Sequence, residues 1–170
     1  RLVVVAPTSH LKVQWSLAAH RMGLQLDPDW GPGQGLARDV HGLVTTYQQI
    51  ANGPAATALR GLVADGMVIL DEVHHAGDER AWGDSVRLAF DTAHRRLCLS
   101  GTPFRSDTAS IPFVQYQGTA EGDAAVYGQG LLYVRGEGRA FYVLVDAPDE
   151  SPVKLWATAL ARRVLALQHV

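Results

Sequence analysis

Cysteine is nearly absent: Cys98 is the only one in 170 residues, so no internal disulfide forms and a secreted disulfide scaffold is excluded. Cys98 sits in an apolar run and reads as a small buried strand residue rather than a nucleophile. Lysine is almost as scarce, with only Lys12 and Lys154. Long hydrophobic runs are missing too. Stretches such as Leu2 to Ala6 and Met67 to Leu70 fall far short of the ~20 residues that a transmembrane helix needs, so no membrane association is expected. No single sign of charge dominates: 15 basic and 17 acidic residues leave a net charge of -2. The field of the whole domain therefore does not draw polyanions, and any nucleic-acid contact must come from local geometry. The chain opens on Arg1 without a charged-then-apolar leader, reads as cut from something longer, and is expected in a reducing cytoplasm.

With 47% hydrophobic and 19% charged residues, the composition is that of one globular domain large enough to hold a core without disulfides or structural metal. Leu2 to Ala6 is a β-branched run ending in Pro7-Thr8-Ser9, which predicts a buried strand entering a capped helix. Leu11, Trp15, Ala18, Ala19 and Met22 recur at helical spacing, and Gly23 stands where a helix-terminating glycine belongs. Residues 27 to 35 are dense in turn formers and predict a surface loop. The Gly31-x-Gly33-x-Gly35 within it is broken by Pro32 and is no dinucleotide motif.

Further strands are predicted at Val40 to Thr46, Met67 to Leu70 and Arg96 to Ser100. Helical segments separate them at Tyr47 to Ile50, Ala55 to Val63 and Trp82 to Phe90. Strands this short, continuously apolar and alternating with helices predict an α/β fold, a mostly parallel sheet covered on both faces. Beyond Asp107 the pattern weakens. Residues 111 to 130 show no clear period, Leu131 to Val134 and Phe141 to Val145 suggest a β-hairpin, and Pro152 opens a final helix with an apolar stripe from Val153 to Leu167.

The most informative segment is Met67-Val68-Ile69-Leu70-Asp71-Glu72-Val73-His74-His75. Adjacent carboxylates at the C-terminal tip of a buried parallel strand lie where open α/β sheets bind ligands. Carboxylate oxygens suit Mg²⁺, which keeps most of its waters and accepts one or two protein carboxylates; the second carboxylate is then available to orient a water. His75 suggests a metal site with His74 and Asp71, but neighbours on a strand point to opposite faces, which favours a structural role for it. Arg95 and Arg96 read as solvated charges before a strand, and Lys12 as either a phosphate contact or a solvated residue.

Asp71-Glu72-Val73-His74 resembles motif II, the DEAD/DEAH box, of superfamily 2 helicases and translocases. Ser100-Gly101-Thr102-Pro103-Phe104-Arg105 resembles motif III, Ala6-Pro7-Thr8-Ser9-His10-Leu11-Lys12-Val13-Gln14-Trp15 motif Ia, and Val44-Thr45-Thr46-Tyr47-Gln48 motif Ib. The four occur in family order over residues 2 to 107, each at a predicted strand end. The forms of motifs Ia and III are similar to those of the restriction-type and DNA-translocase branch, and a strict RNA-helicase box would carry Asp in place of His74. DNA is therefore favoured over RNA as the track, and contact with it would be independent of base sequence.

The resemblance implies a RecA-like, P-loop NTPase domain of three layers, with ATP and Mg²⁺ as cofactors. Asp71 would hold Mg²⁺ through water, Glu72 would activate the attacking water, and His74 would hydrogen-bond toward motif III. Ser100 and Thr102 would couple hydrolysis to movement, and Thr8, Thr45 and Thr46 would contact phosphates of one nucleic-acid strand. No G-x-x-x-x-G-K-[ST] string occurs in this sequence, and family order places it before Arg1. A second RecA-like domain is likewise missing from this chain. Residues 1 to 110 thus read as a partial RecA-like domain and 111 to 170 as an extension with a hairpin and a terminal helix, of which residues 118 to 170 match no family motif.

Two functions follow: part of an ATP-dependent DNA helicase or translocase, inactive as this chain alone, or a non-hydrolytic remnant that binds nucleic acid or a protein. In the family's sheet the P-loop strand lies beside the motif III strand. Without it, either Phe141 to Val145 covers the edge at Arg96 to Ser100, or the chain self-associates through that edge.

Overall fold

The computed structural model describes residues 1–77, 80–100 and 111–113, and the strands at 115–119, 122–126, 131–136 and 139–146. Five parallel strands form the body of the sheet: β1 (Leu2–Ala6), β2 (Leu26–Asp27), β3 (Gly42–Thr46), β4 (Met67–Leu70) and β5 (Arg95–Ser100), in the spatial order β2-β3-β1-β4-β5. Four helices connect them: α1 (Ser9–Arg21), α2 (Tyr47–Ala51), α3 (Gly53–Val63) and α4 (Arg80–Phe90). Strand alternation sorts the apolar side chains into two cores. Val3, Val5, Leu43, Val68, Leu70 and Cys98 pack with α2, α3 and α4 on one face. Val4, Val44, Ile69, Leu97 and Leu99 face the other way, toward Trp15 and Ala19 of α1. The result is an α/β fold with helices on both sides of a parallel sheet, as continuous apolar strands require.

Local signals explain the element ends. Thr8 caps α1 by accepting from the Leu11 amide. At the other end the Gly23 and Leu24 amides donate to the His20 and Ala19 carbonyls, with Gly23 at φ +81°. That is a Schellman termination, and it needs the left-handed conformation that glycine adopts freely. Thr46 and Gln49 form a reciprocal capping box on α2, and a proline opens the first turn of α3.

Several expectations need adjustment. The second predicted strand begins at Gly42, not Val40. The predicted surface loop at 27 to 35 begins with the end of β2 and carries a buried anchor: Trp30 is 2% exposed, and its indole N–H donates to the Gln34 carbonyl. Its apolar surface belongs to the α2–α4 core, which overrides the turn-rich composition around it. His74 and His75 lie on a 3-10 turn, Val73–Gly77, not on a strand. Their rings consequently sit 4.5 Å apart instead of on opposite faces.

The aperiodic region contains a two-stranded antiparallel sheet, β6 (Gln115–Thr119) with β7 (Gly122–Val126). The predicted hairpin is present as β8 (Leu131–Gly136) and β9 (Arg139–Asp146). It belongs to the main sheet, because β9 pairs antiparallel with β5 from Arg96↔Asp146 to Ser100↔Tyr142. The edge at Arg96 to Ser100 is thus covered by the 141–145 run. The terminal helix expected after Pro152 lies outside the described residues.

Candidate functional site

Parallel pairing brings the strand ends to one edge. Ala6 pairs with Thr46 and Val5 with Leu70, while Cys98 pairs with Leu70 so that β5 runs two residues further, to Ser100. The carboxyl ends of β1, β3, β4 and β5, each carrying one of the sequence motifs, therefore line the same rim.

Asp71 follows β4 directly and is 4% exposed. Its amide donates to the Val5 carbonyl, which extends the β1–β4 ladder by one bond. The Trp15 indole Nε1–H donates to its carboxylate oxygen Oδ2 at 2.7 Å, and the Tyr47 hydroxyl donates to its backbone carbonyl at 2.9 Å. Burial raises the Asp71 carboxyl from 3.8 to about 6, and the nearby Glu72 charge adds to the rise. The Trp15 bond, a backbone hydrogen bond at Glu72 and the His75 charge oppose it. Burial also pushes the Tyr47 hydroxyl well above 10, with further upward contributions from Cys98, Asp71 and Glu72. It thus remains a donor at any physiological pH.

Glu72 has φ 48°. A left-handed glutamate is strained, and such strain persists where surrounding structure imposes it, often at functional sites. Its carboxylate lies 3.4 Å from His74 Nδ1, and both side chains are partly exposed. The same nitrogen is 2.9 Å from Ser100 Oγ. The two contacts place His74 Nδ1 between the Glu72 carboxylate and the Ser100 hydroxyl. The contact joins the end of β4 to the end of β5 through side chains.

The structure thus brings Asp71, Glu72, His74 and Ser100 together. Thr102 lies outside the described residues. Thr8 is exposed, with its hydroxyl engaged as the α1 cap. Thr45 and Thr46 are buried, and both hydroxyls are hydrogen-bonded to Gln49, so a phosphate contact through them would have to displace Gln49. Sequence reasoning missed Trp15 and Tyr47 as site residues. The available signal was chemical: a buried indole or phenol needs a polar partner, and strand ends are where partners occur.

No group of three or more His, Cys, Asp or Glu side chains able to hold a metal occurs among the described residues. Asp71 and Glu72 are the carboxylates at this tip that could hold a Mg²⁺ through water, an ion for which one or two protein carboxylates suffice. No described helix is long and apolar enough to cross a membrane.

Over 123 residues, 72% of its length, the chain is 47% identical to the uncharacterized proteins Rv2917 and MT2985 of two Mycobacterium tuberculosis strains. It is equally identical, over the same length, to the uncharacterized protein ML1624 of Mycobacterium leprae. The matched segment covers only about a fifth of each of these relatives. No protein-family model matches the chain, and no solved structure does.

Proposed function

We propose that this chain is part of the first RecA-like lobe of an ATP-driven, superfamily 2-like motor that tracks DNA in preference to RNA. The observation that carries this reading is the contact between His74 and Ser100 at 2.9 Å, with Glu72 3.4 Å from the same nitrogen. It joins the ends of two adjacent parallel strands at the rim where such sheets bind ligands. The strained backbone of Glu72 at the same tip supports it.

In this reading ATP and Mg²⁺ supply the scissile phosphate and the charge that stabilises its transfer. The chain's own residues do the rest. Asp71 offers a buried carboxylate toward the cation's waters, Glu72 orients the attacking water, and His74 with Ser100 relays the state of that tip to β5. Thr8 would position a strand phosphate at the exposed start of α1. The phosphate cradle and second lobe would be supplied by sequence outside this chain, and the relatives, of which it matches a fifth, have room for both.

The test is ATP turnover. This chain alone is expected to hydrolyse no ATP, since its carboxylates leave the triphosphate's charge uncompensated. The longer protein that carries it should show DNA-stimulated hydrolysis abolished by Glu72→Gln. If the longer protein binds DNA yet turns over no ATP, the non-hydrolytic binding module is the correct reading.

A further inference from the structure

Asp71 is held from both faces of the sheet. Trp15 belongs to the core beneath α1, and Tyr47 to the opposite core beneath α2, α3 and α4. The two aromatic side chains converge on this one residue and donate to different parts of it, Trp15 to the carboxylate and Tyr47 to the carbonyl. The carbonyl belongs to the peptide unit that leads into Glu72, whose φ is 48°. Trp15 therefore fixes the Asp71 side chain, and Tyr47 fixes the peptide from which Glu72 departs.

The helices that carry these donors are also significant. Trp15 lies on α1, which starts at the exposed cap Thr8. Tyr47 is the first residue of α2, directly after its cap Thr46. The resemblance implies that both segments meet the nucleic-acid strand, α1 through Thr8 and α2 through Thr45 and Thr46, whose hydroxyls are held on Gln49 and would have to leave it for such a contact. A core position under α1 requires only a large apolar side chain, which phenylalanine would satisfy. What Trp15 adds is an N–H at 2.7 Å from a buried carboxylate oxygen, and what Tyr47 adds over phenylalanine is a hydroxyl at 2.9 Å.

We propose that Trp15 and Tyr47 are positioning residues that transmit contact at the starts of α1 and α2 to Asp71 and Glu72, so that nucleic-acid binding sets the geometry of the carboxylate pair. The proposal rests on the motor reading above and specifies its regulation. Neither residue touches the reacting atoms. Each acts by holding a group that does, and a small shift of either helix moves the held group because both bonds run through packed core.

The experiment uses the longer protein with Trp15→Phe and Tyr47→Phe, each of which keeps the ring and removes the donor. Steady-state ATP hydrolysis is measured with and without single-stranded DNA, alongside DNA affinity by fluorescence anisotropy and thermal melting. Each variant is expected to bind DNA within about twofold of wild type, to keep its KM for ATP, and to lose about tenfold of DNA-stimulated kcat. Stimulation within about twofold of wild type in both variants overturns the proposal, leaving two bonds that only satisfy buried polar groups. Loss of DNA affinity in step with kcat also overturns it, because the residues then support binding or folding and not transmission. Should Trp15→Phe melt below the assay temperature, Tyr47→Phe, which removes a single oxygen, decides alone. Failure of the motor reading itself is distinct: the wild-type protein then shows no hydrolysis with or without DNA, and the proposal falls with it.

Discussion

At the scale of single residues, the informative feature is a carboxyl group kept where ionisation is unfavourable. Asp71 titrates near 6 in the folded chain against 3.8 in the exposed state. Between those values the folded state binds more protons than the unfolded one, so stability falls as pH rises through that window. The penalty is absent below pH 4 and complete above about pH 6, where it amounts to about 3 kcal/mol as an upper bound. Asparagine cannot ionise and still offers an oxygen to the Trp15 indole. Asp71→Asn is therefore expected to be more stable than wild type at pH 8 and nearly equal to it at pH 4, as read by urea unfolding at both. An equal difference at the two pH values would place the effect in packing. A residue retained against stability is consistent with a functional role for this tip.

The same scale shows what sequence could and could not reveal. Asp71, Glu72, His74 and Ser100 could be picked out because strand ends and short motifs are local patterns, and the structure places Glu72 and Ser100 beside His74. The hydrogen bond from Trp15 to Asp71 spans 56 residues and leaves no local trace. At helical spacing Trp15 reads as one more apolar residue, which in part it is.

At the scale of elements, β1, β3, β4 and β5 were readable from four- to six-residue apolar runs, and α1 from its caps. The two-residue β2 was not, because its Leu26–Asp27 adjoins turn formers. Nor were β6 and β7, whose Gln115–Thr119 and Gly122–Val126 lack the apolar alternation of a half-buried hairpin. Glycine at 42 has a meaning visible only in the assembled sheet. A methyl group there would run into the Leu2 carbonyl across the β1–β3 ladder, while one at Gly61, on the exposed side of α3, would meet nothing. The two substitutions should have opposite signs. Gly42→Ala is expected to destabilise the chain by about 1–3 kcal/mol, and Gly61→Ala to stabilise it by about 0.5–1 kcal/mol through helix propensity. Thermal melts of both variants check this, and equal shifts would show that backbone crowding at Gly42 is relieved without loss.

At the scale of the whole molecule, charge and topology set what the isolated chain can do. A net charge of -2 gives no long-range attraction to DNA, and on the motor reading one partial lobe would present few phosphate contacts. Binding of this chain to DNA should accordingly be weak, indifferent to sequence, and reduced by salt with a shallow slope reflecting those few contacts. Titrations against unrelated duplexes and single strands at two ionic strengths test this, and tight binding to a single sequence would contradict it.

Topology gives the other constraint. β5 lies at the end of the parallel strands, and its outer side is taken by β9, which in turn pairs with β8. Without β9 an apolar strand rich in unpaired N–H and C=O groups would be exposed, which is a template for another chain. Because β9 is flanked on both sides, every amide in its middle serves one ladder or the other. Val143, opposite Leu99, is such a position. Proline there removes a donor and cannot sit in a central strand. In this chain Val143→Pro is therefore expected to release the hairpin and produce concentration-dependent self-association, measured by light scattering. The motor reading adds a contrast, since it places the phosphate-cradle strand of the longer protein against that same side of β5 and makes the two strands competitors. In the longer protein Val143→Pro should then leave the oligomeric state unchanged. A variant chain that stays monomeric at high concentration would show that β9 is not what protects the edge, and a longer protein that aggregates on the same substitution would show that β9 has no competitor there.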